Sequence, residues 1–396
     1  MSSPFADLRE AAGIAAASAC ALAATRIALQ RFRSYPESEL CVDAGLVVLY
    51  GGNGIGKTNV LEAVSLLSPG RGLRGAKLAA IPRKAANGEQ TTNWSISATV
   101  SRSGEGEWQV GTGCMATGAS QPRRVFHLNG APADAAEVAE LISILWLTPA
   151  MDRLFLEGAQ MRRRFLDRLV FALVPSHARK SARYERAMSD RLRLLRDGTR
   201  RGPWLDALEK TMAEEGSAIN AARHEIVACL NHELNARRAE GAFPCARLSL
   251  AGENGDIAAD TAVLAETLAA SRERDRDSGR THCGPHTSDL EVEHVAKCSD
   301  ARECSTGEQK ALLISIVLAD AWLKRKRHGV APMLLLDEIA AHLDAQRRAA
   351  LFDELVALNS QAWLTGTDRE LFGPLNQTAA FVTIDSNRFI TAGVSP

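Results

Sequence analysis

The spacing of apolar residues near the start of the chain predicts a strand, a loop and a helix in direct succession. Residues 25–50 indicate two short strands separated by a polar turn. The second, Leu46–Tyr50, is a continuous apolar run typical of a strand buried in a sheet. A glycine-rich loop follows, and residues 58–67 have helical spacing. The loop is therefore expected between a buried strand and a helix N-terminus.

The next segments change from strand spacing to helical spacing. Apolar and polar residues alternate over 92–130, which predicts antiparallel strands with a turn at Asn129-Gly130. Residues 133–146 return to a helical pattern.

A long helical segment then indicates a second domain. Residues 150–240 are almost entirely helical in spacing, carry arginine-rich faces and break at Gly202-Pro203. Strand spacing returns after residue 245, and the charged stretch 271–281 predicts a mobile loop. We expect a larger domain formed by residues 1–148 and 246–396, interrupted by a helical lobe at 149–245.

The last third of the chain alternates helices and strands. A helix is predicted from Ser305 onward, followed by an apolar strand over 333–338 and another helix. The short strand Ala362–Gly366 and a closing pair of strands at 380–392 complete the pattern. The whole series predicts an α/β fold.

The sequence argues against a membrane-spanning protein and against a disulfide-stabilised scaffold. No apolar run is long enough to span a bilayer, and the eight cysteines form no C-x-x-C pair, which favours a reducing cytoplasm over a disulfide scaffold. The alanine-rich stretch 11–25 follows Asp7 and Glu10 rather than a basic segment, so we expect a cytoplasmic chain start and not a signal peptide. Net charge is zero, so any contact with nucleic acid depends on local charge.

Residues 51–58, Gly-Gly-Asn-Gly-Ile-Gly-Lys-Thr, match the phosphate-binding pattern G-x-x-x-x-G-K-[ST]. Glycines let backbone amides curl around phosphate oxygens, and the helix N-terminus adds partial positive charge. Lys57 is expected to reach the β- and γ-phosphates of ATP, and the Thr58 hydroxyl to bind Mg²⁺. The predicted nucleotide contacts are Gly51, Gly52, Asn53, Gly54, Ile55, Gly56, Lys57, Thr58 and Asn59.

The apolar strand at 333–336 ends in an acidic pair, Asp337-Glu338, which is the Walker B form. Asp337 is expected to hold Mg²⁺, directly or through water. Glu338 is expected to polarise the attacking water or to act as its general base, so Glu338 and Lys57 are the predicted catalytic residues. A buried strand ending in two solvated acids is the alternative, and the phosphate loop upstream argues against it.

The segment Ser305-Thr-Gly307-Glu-Gln309 lies about a helix length before the acidic pair. It resembles the signature of ABC-type ATPases, a second phosphate nest built from a hydroxyl, a glycine amide and a helix N-terminus. The same residues predict a capping box with Ser305 as the N-cap and Glu308 three residues on, and the two interpretations are compatible.

Asp344 follows the acidic pair where ABC-type ATPases have their D-loop, and Thr367 stands where transporter ATPases have a switch histidine. Four motifs in this order resemble an ABC-type ATPase head, a mixed sheet with a phosphate-loop core, here with an inserted helical lobe. In that family the signature of one protomer completes the partner's nucleotide site. The resemblance therefore implies a two-fold homodimer around two ATP molecules.

The distance between the phosphate loop and the signature, together with short sequence blocks along the chain, makes the resemblance specific to the RecF family. The stretch between Thr58 and Ser305 is longer than in transporter subunits and lacks the heptads of SMC arms. Thr287 replaces an arginine common in that family. The similar blocks are RFRSY at 31–35, the phosphate loop, SPGRGLRGA at 68–76, HLNG at 127–130, RRRFLDR at 162–168, GPHTSDL at 284–290 and LLLDEIAAHLD at 334–344.

Resemblance to RecF implies a cytoplasmic protein that acts at DNA gaps, near junctions of duplex and single strands. ATP binding with Mg²⁺ would drive dimerisation and DNA binding, and slow hydrolysis would release the protein. The family works with RecR and RecO to load RecA onto single strands, and no membrane partner is implied.

Local charge gives a separate reason to expect DNA contact. Residues 161–201 hold 13 Arg or Lys against 4 Asp or Glu. A row of basic side chains of this kind, a basic stripe, can bind the phosphate backbone of DNA without recognising the base sequence. The alternative is a helical face that is simply exposed to solvent. The candidate contacts are Arg179, Lys180, Arg183 and Arg186.

Three other functions stay open from the sequence. The chain fits another SMC-like ATPase with a different task on DNA, the ATP-binding subunit of a transporter, or a nucleotide-locked dimer with little turnover. Thr367 in place of the switch histidine argues against the transporter, and Glu338 argues against the locked dimer.

Overall fold

The computed structural model describes residues 20–84, 93–115, 123–171, 173–174, 176–199, 201–237, 241–252, 260–385 and 388–392. The alanine-rich start predicted at 11–25 lies outside the described residues up to position 19. The described chain forms two compact units. The first unit runs up to Met151 and resumes at Ala321, and the second runs from Asp152 to Asp320.

The elements alternate as the apolar spacing indicates, with several differences described below. The strands are β1 (Leu22–Phe32), β2 (Tyr35–Cys41), β3 (Leu46–Tyr50), β4 (Trp94–Arg102), β5 (Gly106–Met115), β6 (Arg123–Leu128), β7 (Ala131–Ala133), β8 (Ile144–Leu147), β9 (Ala246–Ala251), β10 (Asp289–His294), β11 (Ser299–Asp300), β12 (Met333–Leu336), β13 (Ala362–Gly366), β14 (Ala379–Asp385) and β15 (Arg388–Ala392). The helices are α1 (Lys57–Ser65), α2 (Ala135–Leu141), α3 (Ala159–Phe171), α4 (Ser176–Arg196), α5 (Pro203–Ala236), α6 (Thr261–Ala270), α7 (Arg272–Ser278), α8 (Thr306–His328) and α9 (Ala345–Leu358).

A mainly parallel sheet carries the chemistry of the first unit. Its strand order is β15-β14-β3-β13-β12-β8, and only the β14–β15 pair is antiparallel. Carboxyl ends of neighbouring parallel strands meet at one edge of a sheet, where ligands of open α/β sheets bind. The loop after β3 and the acids after β12 therefore lie at the same edge, separated by β13.

An antiparallel sheet completes the first unit, in the order β2-β1-β4-β5-β6-β7. Both sheets and α1 contribute buried side chains to one hydrophobic core. The predicted Asn129-Gly130 turn joins β6 to β7, and both of its residues have positive φ, 50° and 82°, as a tight hairpin turn requires.

Two predictions for this unit are wrong. The first predicted strand is a hairpin, because β1 and β2 pair on either side of a turn at residues 33–34. The helical pattern predicted over 133–146 ends at Leu141, and residues 144–147 form the edge strand β8 beside β12. A short apolar run has the same composition in a buried helix and in a buried strand, so periodicity alone does not separate them.

The second unit packs helices α3 to α7 with the small sheet β11-β10-β9. It extends beyond the predicted lobe boundary at residue 245, because β9 packs on α5. The Asn231 side chain both accepts from and donates to the backbone of Leu248, at 2.8 Å in each case. The break predicted at Gly202-Pro203 is the start of α5, with proline in its first turn.

The mobile loop predicted at 271–281 is also wrong, because residues 272–278 form helix α7. Its Asp275 is fully buried, and its carboxylate accepts hydrogen bonds from Arg191 at 2.7 Å and from the His282 ring at 2.8 Å. Arg191 also donates to Glu209 at 2.9 Å. Charges that look solvated in the sequence therefore hold this unit together from inside.

Within the described ranges, no helix combines the length and the hydropathy needed to cross a bilayer.

Candidate functional site

The glycine-rich loop turns between β3 and α1 and is held in place by the preceding hairpin. Gly56 has φ +106°, and a Cβ at that position would lie 2.7 Å from the Tyr35 hydroxyl oxygen. That hydroxyl donates to the Gly56 carbonyl at 3.2 Å. Only glycine suits this conformation and close approach. The RFRSY block at 31–35 thus fixes the end of the loop.

Lys57 is buried inside the loop that it follows. Its ammonium donates to the carbonyls of Gly51 at 2.6 Å and Gly52 at 2.8 Å. Burial lowers the pKa of Lys57, and the carboxylates of Glu338 and Asp337 act in the opposite direction. The cation is therefore bound by neutral carbonyl groups, which phosphate oxygens can replace as stronger partners.

The remaining predicted loop contacts divide between exposed and structural positions. Gly52, Asn53 and Gly54 are exposed at the tip of the loop. Ile55 packs against the core, and the Asn59 amide donates to the Ser34 hydroxyl at 3.0 Å. Ile55 and Asn59 thus have structural partners, whereas the tip of the loop is open to a ligand.

Thr58 and Asp337 meet across the sheet edge although they lie far apart in the chain. The Thr58 hydroxyl is 3.1 Å from both carboxylate oxygens of Asp337. Burial raises the pKa of Asp337, and hydrogen bonds from Thr365 and Thr58 act to lower it. A hydroxyl and a carboxylate at this spacing are the protein ligands that suit Mg²⁺, whose other ligands come from water and phosphate. The residues present therefore fit the cation.

The second acid of the pair has an unusual backbone. Glu338 has φ +54°, a left-handed conformation uncommon for a residue with a side chain. Its N–H donates to the Thr365 hydroxyl oxygen at 2.8 Å, and that hydroxyl donates to Asp337 at 2.8 Å. The side chain of Glu338 is partly exposed beside the buried Asp337. The pair thus combines a buried cation ligand with an accessible carboxylate.

Thr365 is a residue of the site that the sequence pattern did not single out. The predicted switch residue, Thr367, is exposed, whereas Thr365 is buried at the end of β13 and reaches both acids. The available signal was its place at the end of the strand that follows the acidic pair.

The signature residues cap α8 in the second unit. The Ser305 N–H and hydroxyl donate to the Glu308 carboxylate, both at 3.0 Å, and the Glu308 N–H donates back to the Ser305 hydroxyl at 3.4 Å. This is the predicted capping box. Lys297 lies 2.5 Å from Glu308, and its hydrogen bond lowers the pKa of Glu308 to about 2, with further bonds from Ser305.

Gln309 and Asp344 have structural partners of their own. Gln309 is buried, and its amide donates to the Cys304 carbonyl at 2.9 Å, so it holds the loop before the helix. Asp344 caps α9 by accepting from the Arg347 N–H at 2.8 Å. Ser305 and Gly307 remain at the exposed end of α8.

The basic stripe keeps part of its predicted charge at the surface. Arg179, Arg183 and Arg186 are exposed on one face of α4, and Lys180 is half-buried. Arg183 pairs with Glu215 at 2.8 Å. Elsewhere in the stripe Arg191 is fully buried, so the surface excess is smaller than the count of 13 against 4 indicates.

The two most distinctive sequence blocks contact each other inside the second unit. Arg162 of RRRFLDR donates to both oxygens of Asp289 in GPHTSDL, at 2.8 and 2.7 Å. Asp167 accepts from Arg223, which in turn donates to the Pro285 carbonyl at 2.6 Å. These blocks thus brace α3 and α5 against the segment that leads into β10.

The parallel sheet, the glycine-rich loop and the acidic pair define a P-loop ATPase head. Residues 23–387 match the family model described as RecF/RecN/SMC N terminal domain. The proteins named DNA replication and repair protein RecF from Mesorhizobium japonicum and Agrobacterium fabrum are 46% and 47% identical, covering 91% and 93% of this chain and 96% and 98% of theirs. The chain belongs to the RecF family.

Solved structures agree with this fold. The structure of the recombination mediator protein RecF-ATP in the RecFOR pathway aligns with a TM-score of 0.81 at 20% identity, over 94% of this chain and 98% of that one. An SMC head domain from Pyrococcus furiosus aligns with a TM-score of 0.54 at 15% identity, over 94% and 97%. The predicted α/β head fold and the predicted family are confirmed.

Proposed function

We propose that this protein is an ATP- and Mg²⁺-dependent DNA-binding ATPase of recombinational repair and replication restart. Hydrolysis is slow and serves to release the protein from DNA at single-stranded gaps. The observation that carries the proposal is the contact between Thr58 and Asp337, together with the electrostatic interaction of Lys57 with both Asp337 and Glu338.

The chemistry follows from where each group lies. The amides of the glycine-rich loop and the Lys57 ammonium bind the phosphates of ATP. Thr58 and Asp337 hold Mg²⁺, which neutralises charge on the β- and γ-phosphates when it is bound. Glu338 orients the attacking water and accepts its proton, because its carboxylate is accessible and adjacent to Asp337.

Dimerisation supplies the rest of the site. Ser305 and Gly307 lie at the exposed N-terminus of the 23-residue helix α8, whose amides and partial positive charge suit a phosphate of the partner's nucleotide. Gln309 is buried, so its part is to hold the loop rather than to touch ATP. Two heads then enclose two ATP molecules, as expected of a two-fold dimer.

DNA contact is assigned to the exposed arginines of α4. The curated relatives are named for DNA replication and repair, and the solved relative is named as a recombination mediator of the RecFOR pathway. By this likeness RecO and RecR are partners and RecA is the protein loaded. Eight cysteines without a disulfide among them support action in the cytoplasm.

The test measures binding of the purified protein to gapped, duplex and single-stranded DNA, with and without ATP and Mg²⁺, alongside its sedimentation. We expect ATP to cause dimerisation and gap binding together. Glu338→Gln should retain the ATP-bound dimer because the step that releases it is blocked, and Lys57→Met should abolish nucleotide binding and the dimer.

The two variants are each other's control, because they interrupt the same cycle before and after ATP binding. Unchanged nucleotide affinity in Lys57→Met would refute the assignment of the phosphate loop. Wild-type turnover in Glu338→Gln would remove Glu338 from its role. Dimerisation with ATP but without any affinity for DNA would retain the ATPase and overturn the repair function.

A further inference from the structure

We infer that Thr365 is a positioning residue for ATP hydrolysis, which holds both acids of the Walker B pair in their working geometry. The inference rests on the proposed ATPase function and adds a residue to it. Thr365 is buried at the end of β13 and lies between the strand that leads to the phosphate loop and the strand that ends in the acids.

The Thr365 hydroxyl accepts one hydrogen bond and donates another. The Glu338 N–H donates to the Thr365 oxygen at 2.8 Å, so the hydroxyl proton is directed to its other partner, the Asp337 carboxylate, also at 2.8 Å. Both distances are good hydrogen-bond lengths. The hydroxyl therefore orients a side chain of one acid and the backbone of the other at the same time.

The backbone of the acidic pair is held from both neighbouring strands. The Asp337 N–H donates to the carbonyl of Leu147 at the end of β8, at 2.9 Å. The next N–H, that of Glu338, points the opposite way to Thr365 on β13. Successive amides of an extended chain alternate in direction, and these two anchor the pair across three strands.

The conformation of Glu338 makes the second anchor important. A residue with a side chain at φ +54° persists when its surroundings fix it, and such conformations cluster at functional sites. The Thr365 hydroxyl is the side-chain acceptor for the Glu338 N–H. Without it, the peptide at Glu338 is free to relax toward an ordinary conformation and to carry the carboxylate away from its position.

Valine has nearly the shape of threonine but lacks the hydroxyl, so Thr365→Val removes both hydrogen bonds and leaves the Glu338 N–H without this partner. Groups that orient a metal-binding carboxylate typically cost about 10- to 100-fold in activity or metal affinity when removed. We expect kcat to fall by about that factor and the Mg²⁺ requirement to rise. ATP affinity should change little, because Lys57 and the glycine-rich loop are untouched.

The experiment compares steady-state ATP hydrolysis, Mg²⁺ titration and binding of a fluorescent ATP analogue in the wild type, Thr365→Val and Thr365→Ser. Serine keeps the hydroxyl, so it should restore most of the activity. Thr99→Val is the matched control, since Thr99 is also buried and its hydroxyl accepts from Gln109 at 2.9 Å in the antiparallel sheet. Thermal unfolding of all variants shows whether stability alone explains a loss.

The outcomes separate this inference from the function on which it rests. A large fall in kcat with unchanged analogue affinity in Thr365→Val, rescue by serine and normal turnover in Thr99→Val support the role. Wild-type kcat in Thr365→Val, or an equal loss in Thr99→Val, overturns it while leaving the ATPase intact. A wild-type protein without Mg²⁺-dependent turnover overturns the proposed function itself, and the positioning role with it.

Discussion

Removal of two arginine charges from α4 tests whether this helix contacts the DNA backbone. Arg179 and Arg186 are exposed two turns apart on one face, and neither has an ion-pair partner among the described residues. Arg183 lies between them but is paired with Glu215, so its charge is already partly balanced. The double variant Arg179→Gln, Arg186→Gln therefore removes the two charges most available to phosphates.

The expected change in the salt dependence of DNA binding follows from counterion release. Each phosphate contact contributes about 0.9 to the slope of log affinity against log salt on duplex DNA, so two lost contacts flatten the slope by about 1.8. Between about 50 and about 200 mM salt, the ratio of wild-type to variant affinity should shrink about twelvefold, because fourfold more salt acts on two fewer contacts.

Fluorescence anisotropy with a labelled gapped duplex, titrated across that salt range with ATP and Mg²⁺ present, measures both slopes. Lys210→Gln is the control, since Lys210 is an exposed lysine of α5 in the same unit and pairs only loosely with Glu214, at 3.9 Å. A double variant with the wild-type slope would refute the reasoning and leave the stripe as solvated surface. A slope equally flattened by Lys210→Gln would show a general charge effect instead.

Two further predictions concern the family-specific blocks of the second unit. Arg162→Met should lower the free energy of unfolding by about 3 kcal/mol, because Asp289 loses a bidentate ion pair. Urea unfolding measures the change, and Arg164→Met, at an exposed position, should have little effect. Gly284→Ala should cost about 2–5 kcal/mol, since its Cβ would lie 2.1 Å from the Tyr184 hydroxyl at φ +123°. Gly198→Ala, at φ +89° in open space, isolates the backbone strain; equal losses in the two would contradict the packing argument.

Local signals in the sequence predicted most of the fold of the first unit. A buried apolar run, a glycine pattern and a helical repeat are properties of adjacent residues, so β3, the loop and α1 were found together. β8 was missed because four apolar residues have no period of their own, and its identity as a strand comes from pairing with β12. That pairing joins segments almost 190 residues apart in the chain.

Charge was the least informative signal in the second unit. The stretch predicted as a loop is a helix because Asp275 finds Arg191, 84 residues away in the chain, inside the unit, and composition cannot reveal so distant a partner. The same holds for the basic stripe, where Arg162 and Arg191 are buried in ion pairs and only part of the excess faces solvent.

Thr365 could not be singled out from the sequence, and the reason lies in how β13 ends. The resemblance to transporter heads predicts a switch at Thr367, which stays a prediction. β13 ends one residue earlier, at Gly366, and Asp368 then caps the following 3₁₀ turn. Thr365 carries the hydroxyl group of β13, and its contact with Asp337 joins this strand to the residue that follows β12. Which residue at the end of β13 reaches the acids depends on the pairing of β13 with β12, and no single stretch of sequence shows that pairing.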